Sequence, residues 1–211
     1  MFKEIIINTG IIILIINFVC FFVMRKKFPL SLKIFTLYLF FIVIIQVSSS
    51  IMASYKLNNL FFSHYYFIIQ FFLISLFFRK ILDSTKITKI IDVIIMLVLS
   101  SICIYYLMYP HKYFKFNNFE IALTSIPLII YCFMFIVQRL EKTDRTYFYI
   151  VSGLFIYLTG STLLFSTGNI KSPLKKYVWL MNGILYIIYQ SLIFIEWYKF
   201  LKMRKVTRKN T

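Results

Sequence analysis

Acidic side chains are scarce in this chain, seven among 211 residues against 24 lysines and arginines. Glycine occurs five times, proline four times, cysteine three times and histidine twice. Each shortage closes a class of chemistry. Five scattered glycines build no phosphate-cradling loop. Cys20, Cys103 and Cys132 form no CxxC and fall inside apolar runs, so neither a disulfide framework nor a zinc site is indicated. His64 and His111 lie in different segments and no HExxH occurs, which argues against haem or metal ligation. No lysine occurs in 177–198, so a retinal linkage through the last apolar run is excluded. The "SPLK" at 172–175 matches S-x-x-K only formally, in a short loop without a supporting fold. Neither catalysis nor a cofactor is expected.

Hydrocarbon is what the chain has in abundance. It is 61% hydrophobic, with a mean hydropathy of +0.82, well outside the range of water-soluble domains. A helix needs about 20 apolar residues to cross a bilayer core. Seven such runs occur, at 5–24, 34–54, 61–78, 88–108, 119–138, 147–168 and 177–198. Their length and lack of alternation argue for helices over barrel strands, and a helix satisfies its own backbone in lipid. The fold class expected is therefore all-α: a polytopic bundle of seven transmembrane helices over 1–198, followed by a basic tail at 199–211. Short connections leave no room for a water-soluble domain. The first run lacks a small-x-small cleavage site and reads as a retained helix, not a signal peptide.

Orientation follows from charge. Alternate connections and the tail carry 17 of the 24 basic residues, and the opposite side carries seven. The positive-inside rule then puts the N-terminus outside and the C-terminus inside, as an odd number of spans requires. A multi-pass protein of the bacterial inner membrane is expected. The tail holds Lys202, Arg204, Lys205, Arg208 and Lys209 and no acid, so its expected partner is anionic lipid, at roughly 1 kcal/mol per basic residue. It lacks a folded module to aim it at nucleic acid.

Polar groups at membrane depth are the functional candidates. Helical spacing places Asn182, Tyr186, Tyr189, Ile193 and Glu196 on one face, and Gln46, Ser49, Ser50 and Ala53 on another. Gln46, Gln70, Asn182, Tyr186 and His64 are the candidates for a polar cleft opening outward. Gln70 is expected to bond across helices toward the second span, with Gln46 as the partner. His64 reads first as part of an interfacial aromatic belt with Tyr65 and Tyr66, and second as a sensor of external pH. Gly153, Gly160 and Ser161 read as packing residues. The acids find local explanations: Asp92 near Lys89, Glu196 beside Lys199, and Glu120 at a helix N-terminus that favours an anion.

The stretches "NNLFFSHYYFIIQFFLISLFFRKIL" and "YFYIVSGLFIYLTGSTLLF" resemble a group of small, uncharacterised seven-helix membrane proteins from Bacteroidetes-type bacteria. In that group a Glu often stands where this chain has Gln70, and this departure weakens any proton-coupling role that the resemblance would imply. The reading that results is a non-catalytic sensory, regulatory or accessory membrane module, acting through a protein partner or a second copy. Small multi-span proteins of this type also accompany RNA-guided nucleases, which makes a membrane accessory of a CRISPR-type defence system one form of that reading. The alternative is a small transporter or channel. Against it, Pro-Gln turns are missing and only Pro127 interrupts a span.

Overall fold

The computed structural model describes the backbone of residues 2–82, 84–115, 117–140, 142, 145–167 and 175–209, and side chains over a slightly narrower set. Seven α-helices follow one another: α1 (Phe2–Met24), α2 (Leu30–Ser54), α3 (Phe62–Ile81), α4 (Thr85–Met108), α5 (Asn118–Leu140), α6 (Phe148–Thr167) and α7 (Lys175–Lys209). All seven are long and apolar enough to cross a bilayer. Their bounds follow the apolar runs to within a few residues, except that α7 continues to Lys209. The segment read as a separate tail is thus largely helix, although Arg204, Lys205, Arg208 and Lys209 have side chains outside the described residues.

Helix ends are set by local chemistry. After α1, Phe28 is extended (ψ 146°) because Pro29 excludes the helical region for the residue before it. After α2, Lys56 takes a left-handed φ of 58°, while the Leu57 N–H donates to the Met52 carbonyl and the Lys56 N–H to Ala53. This is a Schellman closure with lysine where glycine is usual. Ser84 caps α4 by accepting from the Ile87 N–H at 3.4 Å. Pro110 ends α4.

The chain packs as two compact units. One spans Met24–Tyr131; the other combines Met1–Val23 with Cys132–Thr211, so α5 contributes to both. In the Met24–Tyr131 unit, Phe35, Tyr38, Leu39 and Ile42 of α2 and Phe71, Ile74 and Phe77 of α3 are fully buried. Phe35 lies 5.5 Å from Phe77, centroid to centroid. Such ring pairs each contribute about 1 kcal/mol beyond area. In the other unit, α6 and α7 approach through small residues. A Cβ at Gly160 would stand 2.5 Å from Leu185 Cδ1, and one at Gly153 3.1 Å from Leu192 Cβ. The expected packing role of both glycines is borne out: the missing side chains let α6 and α7 approach closely. Tyr157 stacks on Tyr189 at 5.5 Å and 9°. Outward side chains such as Val93, Met96, Leu97 and Leu107 of α4 remain exposed and apolar. Of the cysteines, Cys132 is buried but Cys103 is exposed, so it does not serve a helix interface.

Candidate functional site

The richest polar cluster is in the Met24–Tyr131 unit, at the end where α3 and α5 begin and α4 finishes. His64 stands in the first turn of α3, Tyr106 in the last turn of α4 and Glu120 in the first turn of α5. His64 is 2% exposed and Glu120 1%. His64 Nδ1 lies 2.5 Å from Glu120 Oε2 and 2.7 Å from Tyr106 Oη. The Tyr106 hydroxyl donates to the same Oε2 at 2.5 Å. Asn117 fixes this corner from the linker. Its Oδ1 accepts from the Phe119 N–H, capping α5, while its Nδ2 donates to Tyr106 Oη at 3.3 Å.

The second ring nitrogen decides the protonation pattern. His64 Nε2 faces the Tyr113 carbonyl at 2.8 Å, and a carbonyl only accepts, so Nε2 carries hydrogen. The contact between Nδ1 and Oε2 then needs a proton of its own. The His64–Glu120 pair therefore holds one shared proton, written either as imidazolium–carboxylate or as imidazole–carboxylic acid, and is neutral overall. Glu120 Oε1 is buried and hydrogen-bonds no described residue. Above the ring, Tyr113 stacks on His64 at 5.5 Å and donates its hydroxyl to Tyr65 at 2.7 Å. Burial, with the Tyr65 bond, pushes the Tyr113 phenol up to about 12, so it stays protonated at ordinary pH.

Two expectations are corrected here. His64 is not displayed in an interfacial belt; it is enclosed and hydrogen-bonded to Glu120, because Tyr113 and its linker fold over it. Glu120 is not merely an anion at a helix start; its carboxylate is committed to a side-chain pair. Sequence reasoning missed Glu120 and Tyr106, although alternating passes place the start of α3, the end of α4 and the start of α5 on one side.

The remaining candidates separate. Gln70 is buried and bonds toward α2 as expected, but through Tyr38 Oη at 3.3 Å, and also through Tyr66 Oη at 3.2 Å. Gln46 is half-buried, and its side chain hydrogen-bonds no described residue. Within the Met24–Tyr131 unit, then, Gln46, Gln70 and His64 do not meet in one network. Asn182 and Tyr186 belong to the other unit, one turn apart on α7, on the face whose Tyr189 and Ile193 are fully buried. Lys202 is exposed on the same helix.

Two further acids find partners other than those expected. Asp92 pairs with Arg79 of α3 at 3.0 Å. Glu196, 4% exposed, accepts from the backbone N–H groups of Tyr147 and Tyr149, each at 2.9 Å, and so caps α6 from α7. Tyr147 has a φ of 69°, a conformation a tyrosine adopts only under constraint. Lys199 donates to the Arg145 carbonyl at 2.8 Å in the same corner. In that unit Asn17 of α1 also donates to Gln190 Oε1 of α7 at 2.8 Å, a link that the apolar runs concealed.

Among the described residues no group of three His, Cys, Asp or Glu side chains could hold a metal. Comparison with protein-family models, curated proteins and solved structures gave no match.

Proposed function

We propose that this chain is a non-catalytic sensory module of a bacterial membrane, and that the His64–Glu120–Tyr106 cluster is its proton-responsive element. The observation that carries this reading is the 2.5 Å contact between two buried titratable groups, His64 Nδ1 and Glu120 Oε2, whose other partners are fixed. Taking up a second proton in acid deprives His64 of its carboxylate acceptor and leaves the cluster positive. Losing the shared proton in base leaves a buried carboxylate whose remaining strong donor is Tyr106. Either change removes a bond tying α3 to α5. The stability of the clasp is therefore greatest where the pair holds one proton and declines on both sides, by linkage. Histidine is suited to such a switch because it changes charge near neutrality. The distribution of basic residues orients this end toward the cell exterior, where ambient pH varies.

The test is a fluorescent probe on an engineered cysteine at Lys112, in otherwise cysteine-free protein reconstituted in nanodiscs and titrated from roughly pH 5 to 8. Wild-type signal should change with pH, and Glu120→Gln should flatten the change while keeping the native far-UV spectrum. An identical titration in both proteins would refute the proposal.

A further inference from the structure

A second polar site lies deeper in the same unit. Ser75 of α3 is fully buried and Tyr131 of α5 is 2% exposed. Neither the Ser75 hydroxyl nor the Tyr131 hydroxyl hydrogen-bonds any described residue. A serine within a helix ordinarily returns its hydroxyl to a carbonyl one turn back, as Ser100 does to Met96 and Ser191 to Ile187. Ser75 does not.

Register brings the two residues to a similar depth. Both α3 and α5 start at the end where His64 touches Glu120. Ser75 is eleven residues beyond His64, and Tyr131 is eleven residues beyond Glu120. Eleven residues are about three turns and about 16 Å of rise, so, with Pro127 on the way in α5, the backbone of each residue stands about three turns below its counterpart in the contacting pair. Helix contact at this depth is confirmed by Phe78 of α3, whose ring centroid lies 5.8 Å from that of Tyr131.

Two enclosed hydroxyls at similar backbone depth, on neighbouring helices, are each without a hydrogen bond to a described residue. Leaving each unpaired in an apolar interior carries a penalty of about 1–3 kcal/mol, and buried water is the usual remedy where at least two polar groups converge. We propose that Ser75 Oγ and Tyr131 Oη bind one ordered water molecule that bridges α3 to α5. The bridge lies at hydrocarbon depth, about 16 Å from the proton-sharing cluster. It does not depend on the sensory reading, because it uses neither His64 nor Glu120.

Isotope-edited infrared spectroscopy of the full chain in nanodiscs provides the test. A buried-water O–H band that shifts when ¹⁸O-labelled water is exchanged in should be present in the wild type. It should vanish in both Ser75→Ala and Tyr131→Phe. These subtractive variants keep the helix and the ring, and a second measurement covers loss of fold. Each single variant should lower the unfolding temperature, and the double variant should lower it no further than the worse single. Absence of the band in the wild type, or its survival in both variants, overturns the proposal. So does non-additive destabilisation without the band, which would mean a direct bond between the hydroxyls. A raised unfolding temperature in either single variant would overturn it as well, since deleting a truly unpaired hydroxyl relieves a penalty.

Discussion

Two glutamates in this protein are almost equally buried, and their surroundings differ in kind. Glu120 is held by an imidazole and a phenol; Glu196 is held by two backbone N–H groups at the start of α6. Peptide N–H groups do not titrate in the physiological range, so the donors of the Glu196 cap keep their hydrogens at any ordinary pH. Imidazole does titrate there, so the Glu120 clasp can open. A buried carboxylate is thus structural or responsive according to the chemistry of its donors, and burial alone does not distinguish the two.

Breaking one half of the Glu120 clasp should have the largest effect. His64→Ala leaves an uncompensated buried carboxylate and should lower stability by about 3 kcal/mol. His64→Leu with Glu120→Leu should restore most of that loss, as read by thermal unfolding in detergent. Glu196→Ala should cost about 2 kcal/mol, because α6 loses two capping bonds and Tyr147 loses the contact holding its left-handed backbone. That loss should vary less between pH 6 and pH 8, roughly the neutral range in which histidine responds, than the cost of His64→Ala. Parallel pH slopes for the two variants would break the comparison. Gly160→Ala should cost about 1 kcal/mol as Leu185 shifts to admit a methyl group. Arg79→Ala should change stability by less than about 0.5 kcal/mol, since its pair with Asp92 is well over a third exposed.

The seven helices were legible because run length against bilayer thickness is a coarse but unambiguous ruler. The continuation of α7 was not, since Lys202 to Lys209 offers no apolar periodicity; the helix simply propagates through residues of good helix propensity. Gln70 shows an intermediate case. Its direction toward α2 was readable from the demand of a buried amide for a partner, but Tyr38 could be named only once the register of α2 against α3 was known. His64 was visible as an anomaly in an apolar run. Glu120 was hidden by a sufficient local explanation, the helix dipole, which obscured the tertiary one. The partners of Glu196 had no sequence signal at all, because a backbone N–H exposed by a left-handed Tyr147 is not encoded in residue type.

Helix α7 runs without a break for 35 residues, about 52 Å, against a hydrocarbon core of about 30 Å. Its last thirteen residues beyond Glu196 form a stiff arm about 20 Å long. A rigid tilt of α7 by about ten degrees about Glu196 would sweep the far end through about 3 Å. A small tilt of that helix as a unit would thereby be geometrically amplified at its cationic end.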